Sequence, residues 1–119
     1  MQLQDVFKVF YAATELDADG NQAVGAGDTA TLTVDDSSKA TIAADAVVDP
    51  GKVPAGADPA KVLQTGFIVG GKTLGVVNIT TTFAHADGSQ APPPVVTALE
   101  IVSGPPATGG LSLGVPIPQ

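Results

Sequence analysis

The chain has 119 residues, twelve Asp and Glu against five Lys and no Arg, and a formal net charge of −7. That length fits a single domain, and 32 Leu, Ile, Val and Phe residues suffice for a hydrophobic core. The lack of Cys excludes a disulfide framework, a thiolate metal site and a thiol nucleophile, and five singly placed Lys exclude the clustered cations that nucleic acid or an anionic membrane requires.

The first five residues, Met1-Gln2-Leu3-Gln4-Asp5, carry neither a basic segment nor an apolar core, so no secretory signal is expected. No run approaches the roughly 20 apolar residues needed to cross a bilayer. The chain therefore reads as a product made in the cytoplasm. Residues 6–14 are a first predicted strand, with Phe7, Val9, Tyr11 and Ala13 on one face and Lys8 on the other. Asp17-Ala18-Asp19-Gly20-Asn21 then supplies a turn, since Gly and Asn accept positive φ and Asp bonds its own backbone. Residues 29–34 alternate strictly, Ala30, Leu32 and Val34 inward and three Thr outward, before a turn at Asp35-Asp36-Ser37-Ser38. A short strand around Ile42 covers 39–43.

Residues 45–60 hold Pro50, Pro54 and Pro59 and cannot form a central strand. At most one helical turn is expected here, with Asp58 as cap and Pro59 in first position. A strand over 61–69 follows, with Leu63, Thr65, Phe67 and Val69 sharing a face. Gly70-Gly71-Lys72 suits a hairpin turn. Residues 74–84 carry the clearest strand pattern, Val77, Ile79, Thr81 and Phe83 pointing one way. Asp87-Gly88-Ser89 turns the chain, and Pro92-Pro93-Pro94 precede a last strand over 95–102 with Val95, Leu99 and Ile101 inward. About seven short strands broken by Gly, Pro and Asp predict an all-β, immunoglobulin-like sandwich over residues 1–103.

Residues 104–119 form a separate tail with four Pro, four Gly and no charged side chain. Its apolar residues Leu111, Leu113, Val115 and Ile117 are spaced by two, the period of a strand. Either the tail wraps over its own domain or frays, or it lies extended on a neighbouring subunit and buries those four side chains by strand addition. In the second reading these four are the partner-binding residues.

The segments Asp17-Ala18-Asp19-Gly20-Asn21, Asp36-Ser37-Ser38-Lys39-Ala40-Thr41-Ile42, Gly75-Val76-Val77-Asn78-Ile79-Thr80-Thr81 and Ala86-Asp87-Gly88-Ser89 resemble those of the bacterial immunoglobulin-like domains, group two. The resemblance spans residues 6–102. It departs from the family pattern in lacking a core Trp, whose place falls to Leu32 or Val34, and in the length of 45–60. Little chain precedes Val6, so the family's first strand should be shortened or missing and a sheet edge left open. The resemblance implies a role among tailed-phage virion proteins or surface adhesins.

No constellation for catalysis can be assembled. Asp17, Asp19 and Asn21 alternate as in a calcium loop but lack the later bidentate Glu, so turn chemistry is expected of them. Adjacent Asp35 and Asp36 should point apart. His85, the one imidazole, follows Phe83 near a strand end and reads as a hydrogen-bonded structural residue without visible metal partners. Gly70-Gly71-Lys72-Thr73 lacks the upstream Gly of a phosphate loop, and no Ser sits in a nucleophile elbow. The expected function is therefore non-enzymatic, without catalytic, cofactor or metal residues. It is that of a capsid decoration (cement) protein, made in the host cytoplasm and carried on the virion. It would bind the major capsid protein or other virion subunits, copies of itself included, and neither nucleic acid nor membrane. The alternative is a carbohydrate- or host-surface-binding module of a phage tail or bacterial adhesin.

Overall fold

Short Val- and Thr-rich runs become seven strands because β-branched side chains fit a pleated, half-buried surface. In the computed structural model these are β1 (Gln2–Gln4), β2 (Lys8–Ala13), β3 (Thr29–Val34), β4 (Ala40–Ala44), β5 (Gln64–Gly70), β6 (Gly75–Ala84) and β7 (Val95–Val102). The described residues are 1–4, 7–23, 25, 27–104, 109, 111 and 114–118. Val6, the expected start of the first predicted strand, which is observed as β2, lies outside them. The strands form two sheets, ordered β1-β7-β6-β3 and β2-β5-β4. Every pairing is antiparallel except that of β1 with β7, which is parallel. The first strand is thus present but only three residues long.

The two sheets share one core. Leu3, Val77, Ile79, Leu99 and Ile101 from the first sheet and Ala40 from the second are buried. Val9, Ile42 and Ile68 from the second sheet and Leu32 and Val34 from the first pack against them. Burying an aliphatic side chain of this size stabilises the fold by roughly 1.5–3 kcal/mol each. A polar link also crosses between the sheets. The Tyr11 hydroxyl donates to Gln64 Oε1 at 2.6 Å, and Gln64 Nε2 donates to the Ala30 carbonyl at 3.0 Å.

One expected turn needs correction, and two predicted faces take their orientation from the structure. The face shared by Thr65, Phe67 and Val69 is the outer face of β5, because the register pairs Val9 and Ile42 with Ile68 and it is Ile68 that meets the core. Gly70-Gly71-Lys72 does not close a hairpin, since β5 and β6 belong to different sheets. Gly71 instead donates to the Lys39 carbonyl at 2.7 Å, and a side chain there would run into the Ser38 backbone. Phe7, predicted to share a face with Val9, Tyr11 and Ala13, is 53% exposed.

Residues 45–60 cover that outer face. Two 3₁₀ turns form, Pro50–Lys52 and Pro59–Lys61, each with Pro in first position and an Asp cap. Asp49 Oδ1 accepts from the Gly51 amide and Asp58 Oδ1 from the Ala60 amide. Asp45 is the pivot of this cover. It forms a 2.7 Å ion pair with Lys52 and accepts from the Thr65 hydroxyl at 2.8 Å, while Thr65 Oγ1 accepts from the Asp49 amide at 2.8 Å. Lys52 lies 4.0 Å from the Phe67 ring centre, and Lys8 sits 4.1 Å from it. Thr65 is consequently fully buried although it faces away from the core.

Candidate functional site

Sheet edges determine where another chain could pair. Strand β1 covers β7 only at Glu100, Ile101 and Val102. Among the described residues, no strand pairs with 95–99 of β7 on that side, nor with β2 on the side away from β5. Between these two edges the sheets gape. The opening is an apolar groove of about 330 Å³, walled by Tyr11–Thr14 and by Val95 and Thr97, with Leu32, Ile68 and Ile79 at its base. Val95 turns toward the interior as its sequence pattern demands, yet it is 51% exposed because, among the described residues, only β6 flanks it. Leu99 and Ile101, farther along the same face, are buried.

The tail residues lie outside the strands. Leu111, Val115 and Ile117 are 87%, 90% and 87% exposed, so they are not buried against the described residues of their own chain. Leu113 lies outside the described residues. The wrapped alternative is thus not adopted by the three apolar tail residues that the structure describes.

A polar cluster gathers at the strand ends beside the groove. Glu15 follows β2 by two residues, Asp28 immediately precedes β3, and His85 immediately follows β6. His85 Nε2 lies 2.6 Å from Glu15 Oε2 and 3.6 Å from Asp28 Oδ2. His85 Nδ1 lies 2.8 Å from Ser89 Oγ, and that hydroxyl donates to Asp87 Oδ1 at 2.6 Å. Its single proton being committed to Asp87, Ser89 can only accept from His85, which places a proton on Nδ1. The Glu15 hydrogen bond holds the imidazole pKa above its usual value, with Asp28 and Asp87 acting in the same direction, while desolvation opposes them. Hydrogen bonds from Ser89 lower the Asp87 carboxyl. Glu15 is 4% exposed, and its Oε1 has no hydrogen-bond partner among the described residues.

His85 is thus hydrogen-bonded, as its position near a strand end suggests. Its partner Glu15 was invisible in the sequence because it lies 70 positions away. Asp17, Asp19 and Asn21 do form a turn, with Asp17 Oδ1 accepting from the Asp19 and Asn21 amides at 2.9 Å each. Asp35 and Asp36 are used separately. Asp35 accepts from the Asn78 amide, and Asp36 from Ser38.

No protein-family profile, curated protein or solved structure matches the chain. No helix among the described residues is long and apolar enough to cross a membrane.

Proposed function

We infer that the chain is a non-enzymatic assembly module, an immunoglobulin-like domain acting as a decoration protein on a phage capsid. The observation that carries the assembly reading is the coexistence of an unfilled groove between two unpaired strand edges and an exposed apolar tail with a strand's period. Strand addition uses both: main-chain hydrogen bonds supply affinity and alternate side chains enter the groove. The immunoglobulin reading is supported by strand order. In that plan C, F and G share one sheet and B, E and D the other. Strands β3, β6 and β7, and β2, β5 and β4, follow the same division, with β1 beside β7. The virion assignment rests on the resemblance of the turn and strand segments described above, and the major capsid protein is its natural partner. Each copy would bind weakly, and many symmetric copies would together brace the shell.

The test is deletion of residues 104–119. The truncated chain keeps all seven strands and is expected to stay folded but to leave capsid shells bare in a sedimentation assay. Full occupancy of shells by the truncated protein would reject the reading. The alternative, a carbohydrate- or host-surface-binding module, gains one observation: Phe7 and Phe10 are both more than half exposed near the free edge of β2. A glycan array with specific hits lost in F10A would favour it.

A further inference from the structure

We propose that Glu15, Asp28 and His85 form a binding site for a divalent transition-metal ion of the zinc type. One ligand atom from each residue can be chosen so that all lie within 4.8 Å of one another. Carboxylate oxygen and imidazole nitrogen are the donors that zinc takes besides thiolate. Tetrahedral coordination spaces such donors by about 3.3–3.5 Å, given metal–ligand bonds near 2.0–2.1 Å. The 3.6 Å separation of His85 Nε2 from Asp28 Oδ2 already fits, and the 2.6 Å contact with Glu15 needs to open by less than an ångström.

Three further observations set this cluster apart from an ordinary ion pair. The first is Glu15 Oε1, a carboxylate oxygen of a residue 4% exposed that no donor among the described residues reaches. An orphaned buried acceptor of this kind is costly, and a cation supplies what it lacks. The second is the outer hydrogen bonding of His85. The Nδ1–H is held by Ser89, itself backed by Asp87, so Nε2 is the nitrogen turned toward the two carboxylates. A metal-bound His is typically fixed in this way by a hydrogen bond from its other nitrogen. Asp28 is oriented too, its Oδ2 accepting from the Gly25 amide at 2.8 Å. The third is charge. Two carboxylates against one imidazolium leave a negative charge in excess, whereas a dication with neutral imidazole balances the site.

The ligands come from three different strand ends, so a bound ion would staple the connections after β2, before β3 and after β6. Glu15 also lines a second opening with Phe83, Pro92 and Val95, so the staple would sit next to the start of β7. This inference is independent of the capsid reading and stands or falls separately.

The experiment is titration of the full chain with zinc chloride, followed by calorimetry and by ¹⁵N spectra of the imidazole. The expected result is saturable binding of one ion per chain, with the His85 Nε2 resonance shifting while Nδ1 stays protonated. E15Q and H85A should each weaken binding more than 10-fold, and S89A by about 10-fold through loss of orientation. D19N, an exposed acid in the neighbouring turn, should bind as the unaltered chain does. Magnesium and calcium, which require six or more oxygen ligands, should not compete. Absence of saturable binding would overturn the proposal. So would zinc binding that leaves the Nε2 resonance unmoved, a spectrum that needs no variant to fold, or equal affinity of the chain and H85A.

Discussion

Thr65 shows how a single side chain can tie a loop to a sheet. Its hydroxyl donates to Asp45 and accepts from the Asp49 amide, and the residue is wholly buried. Thr65→Val keeps the shape and removes both bonds, leaving the Asp49 amide unpaired. The expected cost is about 1–3 kcal/mol in urea unfolding. Asp45 adds a pH dependence. Hydrogen bonds from Lys52 and Thr65 hold its carboxyl below the ordinary range. The stabilisation is therefore complete above the unfolded pKa of about 3.9 and is lost as pH falls through the lower folded value. Thermal melts between pH 7 and pH 2 should fall more steeply for the unaltered chain than for D45N below about pH 4. Parallel curves would show that the Lys52 pair contributes nothing. At this scale the sequence conveys residue types but not partners: Asp45 and Thr65 are 20 positions apart, and their meeting depends on how the loop returns over β5.

Among the elements, β7 has the most varied environment, since β6 flanks it from Val95 to Ile101 and β1 only along its last three residues. Ile101 lies in the doubly flanked part and is 1% exposed. Ile101→Ala should therefore destabilise by about 2–5 kcal/mol, measured by denaturant titration. Val95, in the singly flanked part, should tolerate the same change with a much smaller loss, because half of its surface is already in water. The pattern of 29–34 and of 74–84 could be read directly, because each strand has one buried and one solvated face and so alternates cleanly. Strand β5 misleads for the opposite reason. Its outer face is covered by the 45–60 segment, so both faces are shielded and periodicity no longer marks the core. Strand β1 is too short to show any period. The Gly-Gly pair has the same local signature in a hairpin as in a crossing between sheets, and only the tertiary pairing separates the two. The second 3₁₀ turn was legible from Asp58-Pro59; the first has the same Asp-Pro signature at Asp49-Pro50.

The whole molecule combines an incomplete wall with a spare strand-like segment. If the tail of one copy can enter the groove of another, the chain should form concentration-dependent multimers by mass photometry. Thr97→Lys, which puts a charge into the apolar groove, should suppress them without altering the fold seen by circular dichroism. Multimers that persist in both T97K and the 104–119 deletion would place the contact elsewhere. An open sheet edge and a tail with a strand's period were both expected from the sequence. Their geometry was not, because an open edge is a property of sheet order.

The distribution of charge has a further consequence. All twelve acidic side chains lie at or before Glu100, and none is in the tail. Two copies approaching each other bring like-charged bodies together, while the tail carries no charged side chain. Dissolved electrolyte shortens the reach of that repulsion to about 10 Å at 0.1 M and weakens the apolar contact little. Association of copies should thus tighten as sodium chloride is raised, the reverse of what an attachment built on ion pairs would do.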